Sequence, residues 1–137
     1  MASLREIPAG HIISCVVELD GREQYKLFFL AAHCVDHALC LKITSVMRHF
    51  QDNSRRAAGV AMCSAQEHAA LTADSAIEPG NRFEIPYRRL GGEYLANDRG
   101  PVSIAILERV RVATAKAITL NEAERSELRA ALDAIRF

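Results

Sequence analysis

The sequence predicts an α+β fold: an N-terminal β-hairpin, an amphipathic helix, a short second helix, a β-meander and a C-terminal helix around one core. Three observations carry that prediction. Two alternating apolar stretches flank Asp20-Gly21, the apolar period changes from 2 to 3.6 after Ala31, and the last residues follow a marked helix-start signal. Strands and helices that come in runs rather than in regular alternation point to α+β rather than α/β. The chain of 137 residues is 50% apolar and 25% charged, the size and make-up of one globular domain covering residues 1–137. With 17 basic and 17 acidic side chains it has no net field to attract nucleic acid or an anionic membrane, so neither is expected as a partner.

The hairpin comes first. Ile13, Cys15, Val17 and Leu19 alternate with polar positions, as do Tyr25, Leu27 and Phe29 after the turn. A two-residue loop sets Glu18 against Glu23, whereas a three-residue loop, Asp20-Gly21-Arg22, pairs Val17 with Tyr25 and Ile13 with Phe29. The second register gathers one apolar face and separates the like charges, and it is the one expected.

Beyond the hairpin, Val35, Leu39, Ile43, Val46, Met47 and Phe50 fall within about 120° of a helical wheel, predicting an amphipathic helix over residues 33–51. Residues 55–63 suit a short strand or further helix. Ser64-Ala65-Gln66-Glu67 matches a capping box and predicts a short helix over 65–73, with a loop through Pro79-Gly80-Asn81. Phe83 to Leu90 reads as a strand, Gly91-Gly92 as a turn, and Glu93 to Ala96 as a return strand. Pro86 has no amide hydrogen and belongs at an edge or bulge. After a turn at 97–101, the β-branched run Val102 to Val112 reads as a strand. Thr119-Leu120-Asn121-Glu122 reads as the capping box of a last helix packed through Leu128, Ala131, Leu132 and Ile135.

Cys15, Cys34, Cys40 and Cys63 form no Cys-x-x-Cys pair, and reduced, mostly buried thiols are expected. The opening Met1 to Pro8 carries an acid and a proline where an export signal needs an apolar stretch, and no apolar run approaches the roughly 20 residues of a membrane span. A cytoplasmic location is the expectation.

Two groups of side chains have chemical potential. His33, His37 and Cys40 stand at i, i+4 and i+7 of the expected helix, within about 60° of one another. Imidazole and thiolate suit Zn²⁺, which makes these three the candidate metal ligands; a solvated helix face is the simpler reading. Residues 82–116 hold seven basic side chains against four acidic ones. Among them Arg88, Arg89 and Arg99, with Tyr94 and Tyr87 for stacking, are candidates for gripping an anion or an acidic partner.

Ala31-Ala32-His33-Cys34 resembles the histidine box of chymotrypsin-like serine proteases. The match covers four residues, and no Gly-Asp-Ser-Gly-Gly segment follows. His33-Cys34-Val35-Asp36-His37 is similar to the His-x-x-Glu-His of inverted zinc metalloproteases, with an aspartate one methylene shorter than the glutamate that serves there as general base. Neither match builds a catalytic set. The expectation is therefore a small non-catalytic binding or interaction module that meets a protein partner, a small ligand or a second copy of itself. The alternatives are a His/Cys zinc-binding enzyme or regulator, and a small-anion-binding domain.

Overall fold

The structure, a computed structural model, describes residues 1–45, 50 and 53–136. Its fold is α+β: a large antiparallel sheet with helices packed on it. The strands are β1 (Ala2–Ser3), β2 (His11–Leu19), β3 (Arg22–His33), β4 (His37–Thr44), β5 (Ala61–Cys63), β6 (Ser75–Pro86), β7 (Arg88–Arg89), β8 (Gly92–Glu93) and β9 (Leu95–Pro101). The helices are α1 (Ser54–Ala58), α2 (Ile104–Lys116) and α3 (Glu122–Asp133), and Leu4–Glu6 makes one 3₁₀ turn. Seven strands form a sheet in the order β1-β9-β2-β3-β4-β6-β5, while β7 and β8 pair only with each other.

The β2–β3 hairpin is present, but with the two-residue loop. Asp20 and Gly21 take φ of 54° and 77°, the left-handed pair of a type I′ turn, and the register sets Ile13 against Phe28, Cys15 against Lys26 and Glu18 against Glu23. The expectation failed because it assumed a single apolar face. Both faces of this sheet are covered. Ile12, Phe29, Leu41 and Ile77 pack under Ile106 and Val110 of α2 and Leu128 and Leu132 of α3. On the opposite face Ile13, Cys15, Phe28, Leu30, Cys40 and Ile85 form a second core, closed by Leu4 and Ile7 of the N-terminal segment and by Tyr87 and Tyr94.

That two-sided burial also explains why the helix expected over 33–51 is not formed at residues 33–45. Residues 37–44 form β4, with Leu39, Leu41 and Ile43 in the first core and Ala38 and Cys40 in the second. A strand buried on both faces reads as a continuous apolar run without alternation, and the i, i+4 spacing of Leu39 and Ile43 then imitates a helix. Val35, assigned to the apolar arc, lies fully in solvent at the β3–β4 turn. Val46 and Met47 lie outside the described residues.

Other elements shift as well. Residues 55–63 divide between α1, capped by the Asn53 side chain on the Arg56 amide, and β5. Glu67 accepts from the Ser64 amide as a capping box requires, yet 65–73 forms turns rather than a helix. The predicted strand Phe83 to Leu90 is split between the end of β6 and the two residues of β7. Pro86 is the last residue of β6, beyond the stretch that β5 pairs. Val102 to Val112 is mostly helix α2, because Ser103 caps the Ile106 amide and Ile106, Leu107, Val110, Ala113 and Thr114 form the buried stripe.

The expected packing face holds at Leu128 and Leu132 of α3 and at Ile135 just beyond the helix, all buried, whereas Ala131 is only partly buried. The capping box of α3 lies two residues later than expected, between Asn121 and Glu124. Thr119 instead donates to the Gly80 carbonyl, where the β4–β6 register jumps from Leu41–Arg82 to Lys42–Glu78 and Pro79, Gly80 and Asn81 bulge out. Arg125 donates to the carbonyls of Thr114, Ala117 and Leu120, placing a cation at the C-terminal end of α2, where the helix dipole favours it.

Candidate functional site

The bulge in β6 opens a groove of about 410 Å³ on the sheet, beside the end of β4. Tyr25, Lys26 and Leu27 of β3 line one wall, and Lys42, Ile43, Thr44 and Ser45 the next. Arg56 of α1, Leu71 and Thr72 of the β5–β6 loop, and Ser75, Glu78 and Asn81 of β6 complete it. Lys26 and Lys42 are both half-buried, and among the described residues neither is paired with a carboxylate. Arg56 lies over the Phe50 ring at 5.4 Å. Among the described residues, Lys26, Lys42 and Arg56 border the groove together with the carboxylate of Glu78. Unneutralised charge with reduced access to water is costly, and an anion entering the groove relieves that cost.

Tyr25 also belongs to a polar cluster, on the sheet face opposite to the one onto which Lys26 and Lys42 alternate. Its hydroxyl accepts from Asn97 Nδ2 at 2.9 Å and from Arg99 Nη2 at 3.1 Å. Arg99 Nε donates to Ser14 Oγ at 2.9 Å, and Ser14 Oγ and the phenol oxygen are 2.6 Å apart. With both lone pairs of the phenol oxygen filled, its proton points to Ser14. Strand pairing builds the cluster: Ser14 stands beside Asn97 on β9 and beside Leu27 on β3, and Arg99 lies two residues beyond Asn97 on the same face. Once the phenol ionises the Ser14 hydroxyl turns to donate, and hydrogen bonds from Ser14, then Asn97 and Arg99, hold the Tyr25 phenol below the ordinary tyrosine value.

The structure separates the residues expected to bind zinc. His33 ends β3, where Nδ1 meets the Tyr87 hydroxyl at 2.6 Å and Nε2 the Ile7 carbonyl at 2.5 Å. A carbonyl only accepts, so Nε2 carries the hydrogen and Nδ1 takes the Tyr87 proton. His37 begins β4, between Asp36 at 2.8 Å and Glu84 at 3.7 Å. Cys40 points into the second core, and burial pushes its thiol far up. The helix that was to align these three is absent, and among the described residues no three His, Cys, Asp or Glu side chains stand together as metal ligands. All four cysteines are free thiols; burial raises Cys15 to about 12.

The arginine set divides too. Arg89 lies over the Tyr94 ring at 5.2 Å and pairs with Glu23 at 3.4 Å, while Arg88 faces Glu93 across the β7–β8 pair. Tyr94 is buried with its hydroxyl donating to the Val16 carbonyl, so its ring is packed inside rather than offered for stacking. Arg99 alone of the candidates joins Tyr25. A second groove of about 530 Å³ beside β5 is lined by Phe50, Met62, Cys63 and Arg109, but Arg109 is already paired with Glu67 at 2.7 Å. Lys26, Lys42 and Tyr25 escaped notice as site residues because two lysines sixteen positions apart in a neutral chain carry no local signal. Only the β3–β4 pairing brings them together.

The chain matches no protein-family model and no curated protein. Among the described residues no helix is long and apolar enough to cross a membrane.

Proposed function

We propose that this domain is a binding module whose ligand is a small anion held in the groove between β3, β4 and β6. The observation that supports this reading is the pair of half-buried lysines, Lys26 and Lys42, unpaired among the described residues and lining one groove with Arg56. The hydroxyl of Ser45 and the amide of Asn81 border the same space and suit phosphate or carboxylate oxygens as hydrogen-bond partners. The anion thus sits away from Arg89, which pairs with Glu23 and lies over the Tyr94 ring, and from Arg88, set opposite Glu93 in the β7–β8 register.

Titration calorimetry with inorganic phosphate at low ionic strength tests the reading. The parent chain is expected to show one saturable site that weakens as salt rises. Lys42→Gln and Lys26→Gln are each expected to lose about tenfold or more in affinity, the equivalent of about 1.4 kcal/mol. Lys116→Gln, exposed at the end of α2, serves as the control and should bind like the parent. If both groove variants also bind like the parent, or if the parent takes up no phosphate, the groove is not an anion site.

A further inference from the structure

We propose that Arg99, Asn97 and Tyr25 form a second binding site, independent of Lys26 and Lys42, for a carboxylate carried on an apolar body. Strand register assembles it. Ser14 stands opposite Asn97 and Val16 opposite Tyr25, so these four and Arg99 share the helix-side face of the sheet. Arg99 Nε donates to Ser14 Oγ at 2.9 Å, and Nη2 to the Tyr25 hydroxyl at 3.1 Å. Those two oxygens are 2.6 Å apart and fill one edge of the guanidinium as a carboxylate does, without a carboxylate's charge. Ser14 is fully buried, which ties that edge to the sheet. The other edge, between Nη1 and Nη2, belongs to an exposed residue, and among the described residues Nη1 has no partner and Arg99 no ion pair. Asp98, its neighbour in the chain, alternates onto the opposite face and is engaged by His11 at 2.8 Å.

A guanidinium held in one plane, with its charge unneutralised and one edge open, is preorganised to take a planar carboxylate end-on, one oxygen to each Nη. The Asn97 amide spends one hydrogen on Tyr25 and has a second to offer the ligand. The apolar body is read from the same face. Tyr25 is 54% and Leu95 45% exposed, and Leu95 shares the face because it lies two residues before Asn97. Val16 stands between them on β2, partly exposed, so an apolar strip runs across three strands beside the cation. A fully polar anion leaves that strip wet, whereas a ring or chain attached to the carboxylate covers it.

Benzoate and acetate are the probes, followed by titration calorimetry at low ionic strength. Benzoate is expected to bind the parent chain about tenfold or more tighter than acetate, because its ring covers the strip. Arg99→Gln is expected to weaken benzoate about tenfold or more, and Arg99→Lys to do nearly the same, since an ammonium keeps the charge and loses the fork. Lys42→Gln should leave benzoate affinity within about twofold. A second readout uses the unaltered chain, so it stands even if the Arg99 variants fail to fold. A carboxylate beside Arg99 disfavours the Tyr25 phenolate, and saturating benzoate should raise the midpoint of the first tyrosine to ionise. Absence of benzoate binding overturns the proposal, as does parent-like binding by both Arg99 variants or an unmoved tyrosine midpoint. Equal affinity for acetate and benzoate overturns the apolar body, and loss of benzoate in Lys42→Gln alone assigns the carboxylate to the lysine groove instead.

Discussion

At the scale of single residues, Tyr25 and Asp98 are both held below their ordinary values by hydrogen bonds that outweigh burial. Tyr25 is more than half exposed, so its phenol meets little desolvation, and the hydrogen bonds from Ser14, Asn97 and Arg99 dominate. Tyr87 and Tyr94 are buried, and burial raises both. A near-ultraviolet titration should therefore show one tyrosine ionising below the usual value of about 10 and two above it. Asn97→Ala is expected to move the first transition up, and Tyr25→Phe to delete it; a first transition unchanged in both variants would assign it to another ring. Asp98 is pushed up by burial, but the His11 hydrogen bond at 2.8 Å and the Gly100 amide at 2.9 Å outweigh this and hold it low. A carboxyl lowered in the folded state stabilises the fold above its unfolded value of about 3.9, and that stability drains away as pH falls through the folded value. Asp98→Asn should accordingly flatten the acid limb of the urea midpoint against pH, and acid limbs that stay parallel would count against the pairing.

At the scale of elements, the end of the chain separates capping from packing. Asn121 caps α3, so Asn121→Ala should cost about 1 kcal/mol of unfolding free energy. Thr119 caps nothing; its hydroxyl secures the bulge at Gly80, where an added Cβ would stand 2.2 Å from Thr119 Oγ1. Gly80→Ala is expected to lower the urea midpoint, and Thr119→Ala introduced beside it to recover part of the loss, since the hydroxyl is the atom in the way. A double variant no better than Gly80→Ala would place the clash elsewhere. The capping sequence was visible as a pattern, but two overlapping windows carry it, Thr119-x-x-Glu122 and Asn121-x-x-Glu124, and only the packed helix selects the second. The β2–β3 hairpin was legible because Asp-Gly dictates a local turn. Strand β4 and helix α2 were exchanged for each other's class, because β4 is buried on both faces and α2 is rich in β-branched residues. In each case tertiary burial overrode the local preference.

At the scale of the whole molecule, the sheet separates two cores of different origin. Leu132 of α3 belongs to the helix side and Leu4 of the N-terminal turn to the other, and both are fully buried. Leu132→Ala and Leu4→Ala should each cost about 2–5 kcal/mol, read as a drop in urea midpoint. A Leu4→Ala variant as stable as the parent would show that the N-terminal segment does not seal the second core. The α+β class and the C-terminal packing face could be read from periodicity alone. The second core could not, since Leu4, Cys40, Tyr87 and Tyr94 are scattered along the chain and share no local pattern. The polar cluster around Tyr25 was hidden for the same reason: Tyr25 and Arg99 meet only because β2 lies between β3 and β9.

The pairing of the first strand with the last has a consequence for how the protein is made. Ala2 lies opposite Ala96, and His11 opposite Pro101. While a ribosome extends the chain, the β2–β3 hairpin and then β4 can assemble from residues already outside the exit tunnel. The N-terminal segment then lacks the strand partner of Ala2 and Ser3 until β9 has been synthesised. Closing so long a loop is slow, and apolar residues left uncovered during that interval invite association with neighbouring nascent chains. Residues 2 and 3 are thus made long before the strand that receives them.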